Sequence, residues 1–354
     1  MSILKRSIAA AWLSACLPLG IITASPGWAL DQAGPHIEKG DLLLGKMKLD
    51  EAIEEFRTAA RLEPDNAKAH QRLGAAYAAK DDYDSAILEE QTAVKLDPKY
   101  FLPHVILGQI YANQRKNELA LSEFKKAVEL KPTSFRAHLD LGMAYTGLGK
   151  VDEAMQAYRK ASELNPKDPV PHLNMGVMLS QKGQLAEAIK EEELAISLNK
   201  NIPEAYINLG NIFAEQGSNE RATENFRKAL KLVPEHPNAR SGLGWMLFKQ
   251  GNYKGAIEEQ RKAIKVYPQF APAHRRLAVA LAKTGDDKGA QASFAEALKL
   301  NPNDVTAHVE YAEYLGSKGK AKEAAAEYKR ALEINPESKP AKDGLASLSK
   351  SGTR

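Results

Sequence analysis

A single cysteine, Cys16, occurs in the 354 residues of this sequence. One thiol forms no intramolecular disulfide, and it is too few for a cysteine-based zinc site or a cysteine-bound iron–sulfur cluster. A large excess of one charge is also missing, because 49 Lys and Arg residues nearly balance 45 Asp and Glu residues. Proteins that bind a phosphate backbone normally carry a strongly basic face. We therefore expect no nucleic-acid partner.

Motifs of catalysis are equally scarce. The sequence contains no His-Glu-x-x-His pattern, and the stretch Gly147-Leu148-Gly149-Lys150 lacks the glycine spacing of a phosphate-binding loop. Pairs of adjacent carboxylates, such as Glu54-Glu55, are typical of a solvated helix face. We expect a protein that is not an enzyme and that uses no cofactor or metal.

The first thirty residues have the pattern of a secretory signal peptide. Lys5 and Arg6 precede an apolar run, and the small residue Ala29 suits cleavage by a signal peptidase. Two alternatives remain open: lipidation of Cys16, or an uncleaved anchor, although Pro18 interrupts the run and makes a poor spanning helix. All three place the rest of the chain outside the cytoplasm, either periplasmic or secreted, or as a membrane-anchored lipoprotein facing the periplasm.

One period of 34 residues organises the remainder. Prolines recur at this interval, with one slot taken by Lys200, at Pro64, Pro98, Pro132, Pro166, Pro234, Pro268, Pro302 and Pro336. We therefore predict a signal peptide over 1–29 and a repeat domain over 30–338. Because Ala341, Leu345 and Leu348 share one face, we also predict a capping helix with a tail over 339–354. Nine units follow from the 34-residue period: 33–66, 67–100, 101–134, 135–168, 169–202, 203–236, 237–270, 271–304 and 305–338.

Each unit has the pattern of two helices. In the third unit, Gly108 and Tyr111 mark one face of a first helix, and Ala120, Phe124 and Ala127 mark one face of a second. The periodic prolines stop the second helix from continuing. Glycines that suit a left-handed turn stand between the two halves at Gly149, Gly183, Gly217, Gly251, Gly285 and Gly319. No segment alternates with the period of a strand.

These residues resemble the tetratricopeptide repeat, a 34-residue helix–turn–helix unit. The resemblance rests on Leu-Gly-x-x-Tyr, Ala-x-x-x-Phe/Tyr-x-x-Ala and the closing Pro, and it covers residues 33–338. It implies an all-α, right-handed superhelical solenoid of about nine repeats, whose first helices line the concave face. Stacking also follows from the residues, because one amphipathic hairpin cannot bury its own apolar face.

Three units depart from this pattern, since Glu90, Glu192 and Gln260 stand where the others have Phe or Tyr. We expect looser packing there, with long side chains that lie along the surface and keep their polar ends in water. The alternative is a polar pocket or a partner contact.

Histidine also follows the period. Because equivalent residues of neighbouring helices lie about 8–10 Å apart, these histidines cannot share one metal ion, and we expect a structural role at a helix start. Seven of the eight are the fourth residue of their unit: His36, His70, His104, His138, His172, His274 and His308.

A protein or peptide partner is expected in the groove of the first helices. Trp245 is the largest apolar residue there, and Arg275 with Arg276 would hold a carboxylate. The other candidates are Arg72, Asn174, Asn208 and Asn211. Asparagine pairs with both the N–H and the C=O of an extended backbone. However, only Asn174 and Asn208 occupy the slot that forms an asparagine ladder in some family members, so a continuous ladder is absent.

Together these features predict a non-enzymatic scaffold that binds a protein or peptide outside the cytoplasm. The alternative is a self-associating or lipid-anchored structural component of a cell-envelope assembly. Contact with a membrane is expected only if the N-terminal segment is retained or Cys16 is lipidated.

Overall fold

The computed structural model describes residues 32–351, and every regular element in that range is an α-helix. The prediction of an all-α fold is therefore confirmed. The helices of this range are α1 (Gly34–Gly45), α2 (Leu49–Leu62), α3 (Ala67–Ala79), α4 (Tyr83–Leu96), α5 (Phe101–Asn113), α6 (Asn117–Leu130), α7 (Phe135–Gly147), α8 (Val151–Leu164), α9 (Val170–Gln181), α10 (Leu185–Leu198), α11 (Pro203–Glu215), α12 (Asn219–Leu232), α13 (Pro237–Lys249), α14 (Tyr253–Val266), α15 (Ala271–Thr284), α16 (Asp287–Leu300), α17 (Val305–Ser317), α18 (Ala321–Ile334) and α19 (Lys339–Ser351).

The chain divides into two compact units between Met178 and Leu179. In the first unit, the hairpins α1–α2, α3–α4, α5–α6 and α7–α8 stack so that each second helix packs on the next first helix. The second unit repeats this arrangement from α11 to α18. The last helix, α19, packs on α17 and α18 and buries Ala341, as expected of a capping helix.

In most hairpins, a glycine of the first helix lets a large side chain of the second helix approach, and Ala278 and Ala312 take this position in the last two hairpins. A Cβ atom on Gly108 would lie 2.6 Å from the Phe124 ring, which is closer than real Cβ contacts allow. Phe124 is buried beneath this glycine, with Ala120 and Ala127 also buried on the same helix face. Small residues at these positions therefore set the distance between the two helices.

The expectation of looser packing with surface-lying side chains at the three departures is wrong. Glu90, Glu192 and Gln260 are each no more than 1% exposed, so they fill the space that Phe or Tyr fills elsewhere. The Nε2 atom of Gln260 donates to the carbonyl of Ser241 at 2.9 Å. Both carboxylate oxygens of Glu90 lack a hydrogen-bond partner, and burial raises the pKa of this group well above its ordinary value.

The turn between the two helices of a hairpin contains one residue with a left-handed backbone conformation in every repeat for which φ is described. The six glycines from Gly149 to Gly319 have φ between +69° and +81°, which confirms their predicted role. The first three hairpins use Met47, Asp81 and Arg115 at the same position, with φ of 59°, 66° and 59°. This conformation is less favourable in free energy for residues with a Cβ atom, because Cβ comes close to the following carbonyl oxygen.

The periodic histidines link three parts of the repeat. His70 Nδ1 lies 2.6 Å from Glu89 Oε2, and its Nε2 lies 2.9 Å from the carbonyl oxygen of Pro64. His308 makes the same two contacts, with Glu327 at 2.6 Å and Pro302 at 3.0 Å. The ring thus ties the start of a first helix to the following second helix and to the proline turn before it.

The expected signal peptide over 1–29, and Cys16 with it, lie outside the described residues. Across residues 32–351, none of the helices combines the length and hydropathy that a membrane span requires.

Candidate protein-binding site

The predicted anchor Trp245 belongs to an aromatic cluster on the second unit. Trp245 and Phe248 are three residues apart on α13, so they share a face, and their rings stack with centroids 4.9 Å apart and planes 3° apart. Tyr253, at the start of α14, tilts against Phe248 at 5.2 Å. All three side chains are half-buried, so the cluster keeps part of its apolar surface in contact with solvent.

Arg276 on α15 lies over this cluster. Its guanidinium carbon is 5.9 Å from the centroid of the Trp245 ring, at the outer limit of a cation–π contact. The Nη1 atom donates to Ser241 Oγ at 2.9 Å, while Nε has no hydrogen-bond partner. Burial and, to a smaller extent, the neighbouring charge of Arg275 lower the pKa of Arg276 to about 10, against an opposing effect of the more distant Glu310. Arg276 is therefore a charged group whose charge is poorly compensated within the protein.

Arg275 has a different environment, although the sequence predicts that the two arginines act as a pair. Its Nη1 atom donates to Glu310 Oε1 on α17 at 2.6 Å, and its Nε lies 3.8 Å from Asp304 Oδ2. Both Arg275 and Glu310 are at most 20% exposed. The structure thus gives Arg275 a carboxylate within the chain, whereas Arg276 has no ion-pair partner among the described residues.

Arg72 also finds its acid within the chain. It is 4% exposed on α3, and its Nε lies 3.1 Å from Asp41 Oδ1 on α1. Burial raises the pKa of Asp41, even though Arg72 opposes this shift. A buried pair of this kind is a packing element of the first unit, and little of Arg72 faces solvent.

The three asparagine candidates are spread over two helices. Asn208 on α11 donates from Nδ2 to the buried Glu192 Oε1 at 2.8 Å, so one of its donors is already used. Asn211 is exposed on the same helix, and Asn174 is half-buried on α9. Of the predicted residues, the structure places Arg276 against the Trp245 ring.

Two residues of this site were not predicted from the sequence. Ser241 is fully buried and holds Arg276, and Tyr253 supports the stacked pair from the next helix. The serine gives no signal in the sequence, because its role depends on an arginine 35 positions away. A tyrosine at the start of a second helix, as in Tyr83 and Tyr253, is the only hint of the third ring.

Metal binding has no support in the part of the chain that the structure describes. Within it, no three His, Cys, Asp or Glu side chains lie close enough together to hold an ion.

Comparisons with solved structures show proteins of similar fold. The crystal structure of the APC/C hetero-tetramer Cut9–Hcn1 is 17% identical, with a TM-score of 0.58, and the alignment covers 89% of this chain and 76% of that one. PilF of Pseudomonas aeruginosa is 19% identical, with a TM-score of 0.50 and coverage of 60% and 97%. YrrB, a TPR protein with an unusual peptide-binding site, is 24% identical with a TM-score of 0.39 and coverage of 53% and 96%. No curated protein matches the sequence.

Family models match nearly all of the described chain. Two models of the tetratricopeptide repeat match residues 247–310 and 305–338. The model described as the cilia and flagella-associated protein 70 C-terminal domain matches residues 27–274. The chain therefore belongs to the family of that C-terminal domain and is a tetratricopeptide-repeat protein.

Proposed function

We propose that the protein is a non-enzymatic scaffold that binds a protein or peptide partner at the surface formed by α13 and α15. Proteins of this repeat type are generally interaction scaffolds without catalytic activity, because stacked hairpins offer long surfaces rather than an enclosed site. The observation that carries the proposal is the stacked Trp245–Phe248 pair beside Arg276, which lacks a carboxylate partner.

The chemistry of this surface favours a partner that presents an apolar side chain next to a carboxylate. The exposed parts of the stacked rings gain free energy when water is removed from them. The Arg276 guanidinium has five N–H donors, of which Ser241 takes one, so a partner carboxylate would accept a charge-assisted hydrogen bond. Residues such as Trp and Arg provide most of the binding free energy in many interfaces.

Co-purification with variants tests this function. Tagged full-length protein from its native cells is compared with Trp245→Ala and Arg276→Gln, and with Leu88→Ala as a control, since Leu88 is 63% exposed on α4. We expect both site variants to retain less than a tenth of the partner while the control retains all of it. Equal recovery with all four proteins, at unchanged thermal unfolding, would contradict the proposal.

The proposal includes export from the cytoplasm, which rests on the sequence of the first thirty residues. Mass spectrometry of the N-terminus of the native protein distinguishes cleavage after Ala29 from lipidation of Cys16 and from an uncleaved anchor. The alternative function, a self-associating or lipid-anchored envelope component, predicts a lipidated Cys16 or an oligomer in light scattering.

A further inference from the structure

Two surface clefts occupy the same position of the repeat, one in each compact unit. Their volumes are about 450 Å³ and 520 Å³. The first cleft lies between α2 and α3, and the second lies between α14 and α15. Seven residues that line the second cleft stand 204 positions, or six periods of 34, after seven that line the first. The corresponding pairs are Asp50 and Lys254, Ile53 and Ile257, Glu54 and Glu258, Arg57 and Arg261, Tyr77 and Leu281, Lys80 and Thr284, and Asp82 and Asp286.

The charges of the first cleft are paired within the chain. Lys80 forms an ion pair with Asp50 across the cleft. Arg57 pairs with Glu54 and also donates from Nη2 to the Tyr77 hydroxyl at 2.8 Å. The cations of this cleft are therefore already compensated, and the cleft offers little attraction to an anion.

The second cleft has lost both members of the cross-cleft pair, because Lys254 replaces the acid and Thr284 replaces the base. Lys254, Arg261 and Lys265 are exposed and lie at helical spacing along one face of α14. Among the described residues, none of these three has an ion-pair partner, whereas the nearby Glu258 is engaged by Lys262. Asp286 also lines the cleft, and its Oδ1 accepts a hydrogen bond from the Gly289 N–H at 2.9 Å. The four cations and two acids of the lining leave a net charge of +2, and three of the cations have no ion-pair partner among the described residues.

The chain around this cleft is also basic. Residues 260–285 contain six Lys or Arg residues and no Asp or Glu. An incoming acidic group therefore meets little repulsion from this stretch, and the local field attracts it, most strongly at low ionic strength.

Lys254 does not stabilise its own helix. It stands in the first turn of α14, which contains no acidic residue, whereas the first turn of α2 contains Asp50 and Glu51. The partial positive charge of a helix N-terminus disfavours a cation at that end. A binding role explains why a lysine occupies this position better than a contribution to the fold does.

We propose that the cleft between α14 and α15 binds an extended acidic segment of a partner protein. Its carboxylates would lie against Lys254, Arg261 and Lys265, and an apolar side chain would lie on Ile257 at the floor. This floor and the restricted volume favour a peptide over a nucleic-acid duplex, which needs a broad basic face. The surface goes beyond the proposed function, since neither Trp245 nor Arg276 lines it.

The test measures fluorescence anisotropy of a labelled twelve-residue peptide with glutamates on both sides of a central leucine, added to full-length protein. A peptide with glutamine in place of glutamate is the second probe. We expect the glutamate peptide to bind at least ten times more tightly than the glutamine peptide at 50 mM NaCl, and to weaken at 200 mM.

Charge-reversal variants of the lysines test whether the glutamate peptide binds at this cleft. Lys254→Glu with Lys265→Glu should weaken binding of the glutamate peptide at least tenfold. The matched control is Arg61→Glu with Lys95→Glu, which changes the net charge equally at two exposed residues in the helix position of Lys265. This control should keep the affinity within twofold, and all variants should keep the thermal unfolding of the parent.

Several results would overturn the proposal. Equal loss in the reversal and in its control would show only general electrostatic attraction, and loss in Trp245→Ala would place the peptide at the aromatic cluster. Binding of heparin without binding of the peptide would assign the cleft to a polyanion. Self-association in sedimentation velocity that Asp50→Lys abolishes, without peptide binding, would assign it to a second copy of this chain. The co-purification that tests the proposed function does not involve Lys254 or Lys265, so the two proposals fail separately.

Discussion

Asn208 Nδ2 donates to Glu192 Oε1 at 2.8 Å, and among the residues that the structure describes no other side chain donates to this buried carboxylate. Its other oxygen has no partner. Burial raises the pKa of Glu192 to about 8, from an ordinary value of 4.5, because desolvation outweighs the hydrogen bond from Asn208. Asn208, a candidate for partner binding, thus forms a hydrogen bond with a buried acid of the same chain. The raised pKa of Glu192 makes the free energy of unfolding depend on pH.

Lowering the pH should stabilise the protein in a specific window. Between about pH 4.5 and 8 the folded chain holds a proton on Glu192 that the unfolded chain has lost, so unfolding releases a proton. The free energy of unfolding therefore falls as the pH rises through this window, by roughly 2–4 kcal/mol for a shift of this size. Urea unfolding at pH 5 and pH 8 measures the difference.

The Glu192→Gln variant isolates this effect. It should reduce the pH dependence, while the contribution of the buried Glu90, whose pKa is also raised, remains. The variant should also be more stable than the parent at pH 8, since glutamine carries no charge to desolvate. Glu193→Gln changes an exposed neighbour and should keep the parental slope. The same slope in all three proteins would show that Glu192 ionises in the folded state at its ordinary pKa.

The left-handed turns give a second prediction. Arg115→Gly should raise the free energy of unfolding by about 1 kcal/mol, because glycine adopts a φ of 59° without the clash that a Cβ atom causes. Gly149→Ala, at the same position one repeat later, should lower it by a similar amount. Thermal unfolding of both variants checks the opposite signs, and a destabilised Arg115→Gly would mean that the arginine side chain makes a stabilising contact.

Helix packing gives a third prediction. Gly108→Ala should destabilise the first unit by about 1–3 kcal/mol, because the added methyl would overlap the buried Phe124 ring. Gly147→Ala is the control, since the nearest atom to its added methyl lies 3.7 Å away and alanine favours a helix. Circular dichroism melts compare the two, and equal stability would show that the hairpin opens without cost.

The two neighbouring arginines should behave differently. Arg275→Ala leaves the buried Glu310 without its 2.6 Å partner and should cost about 2–4 kcal/mol of folding stability. Arg276→Ala removes a guanidinium that has no acid, so it should change the unfolding temperature much less. Paired melts of the two variants measure this, and equal losses would mean that Arg276 also stabilises the fold.

The sequence was sufficient for the helices and their packing because those depend on a pattern repeated nine times. The spacing of the repeat alone predicts that Gly108 packs against Phe124 and that Gly149 forms the turn. Two features could not be predicted from the sequence. Met47, Asp81 and Arg115 adopt the left-handed turn although their side chains disfavour it. Glu90 is buried although its carboxylate loses its hydration.

The site was predicted only in part for a related reason. Trp245 stands out by its size in a groove of smaller residues, so its position could be found. The acids that pair with Arg275 and Arg72 lie in other repeats, Glu310 for Arg275 and Asp41 for Arg72. The sequence of one repeat therefore does not show whether its arginine forms an ion pair. The 34-residue pattern does not predict where the paired acids stand.

Site-specific photo-crosslinking tests the central claim, that the surface of α13 and α15 binds a partner protein. A benzophenone amino acid replaces Phe248, beside Trp245, or the exposed Leu88 on α4 as a control, and the full-length protein is irradiated in its native cells. The account predicts one discrete adduct of higher mass from position 248, absent from position 88 and lost when Arg276→Gln is added. Identical adduct patterns from positions 248 and 88, or no adduct from position 248, would contradict it.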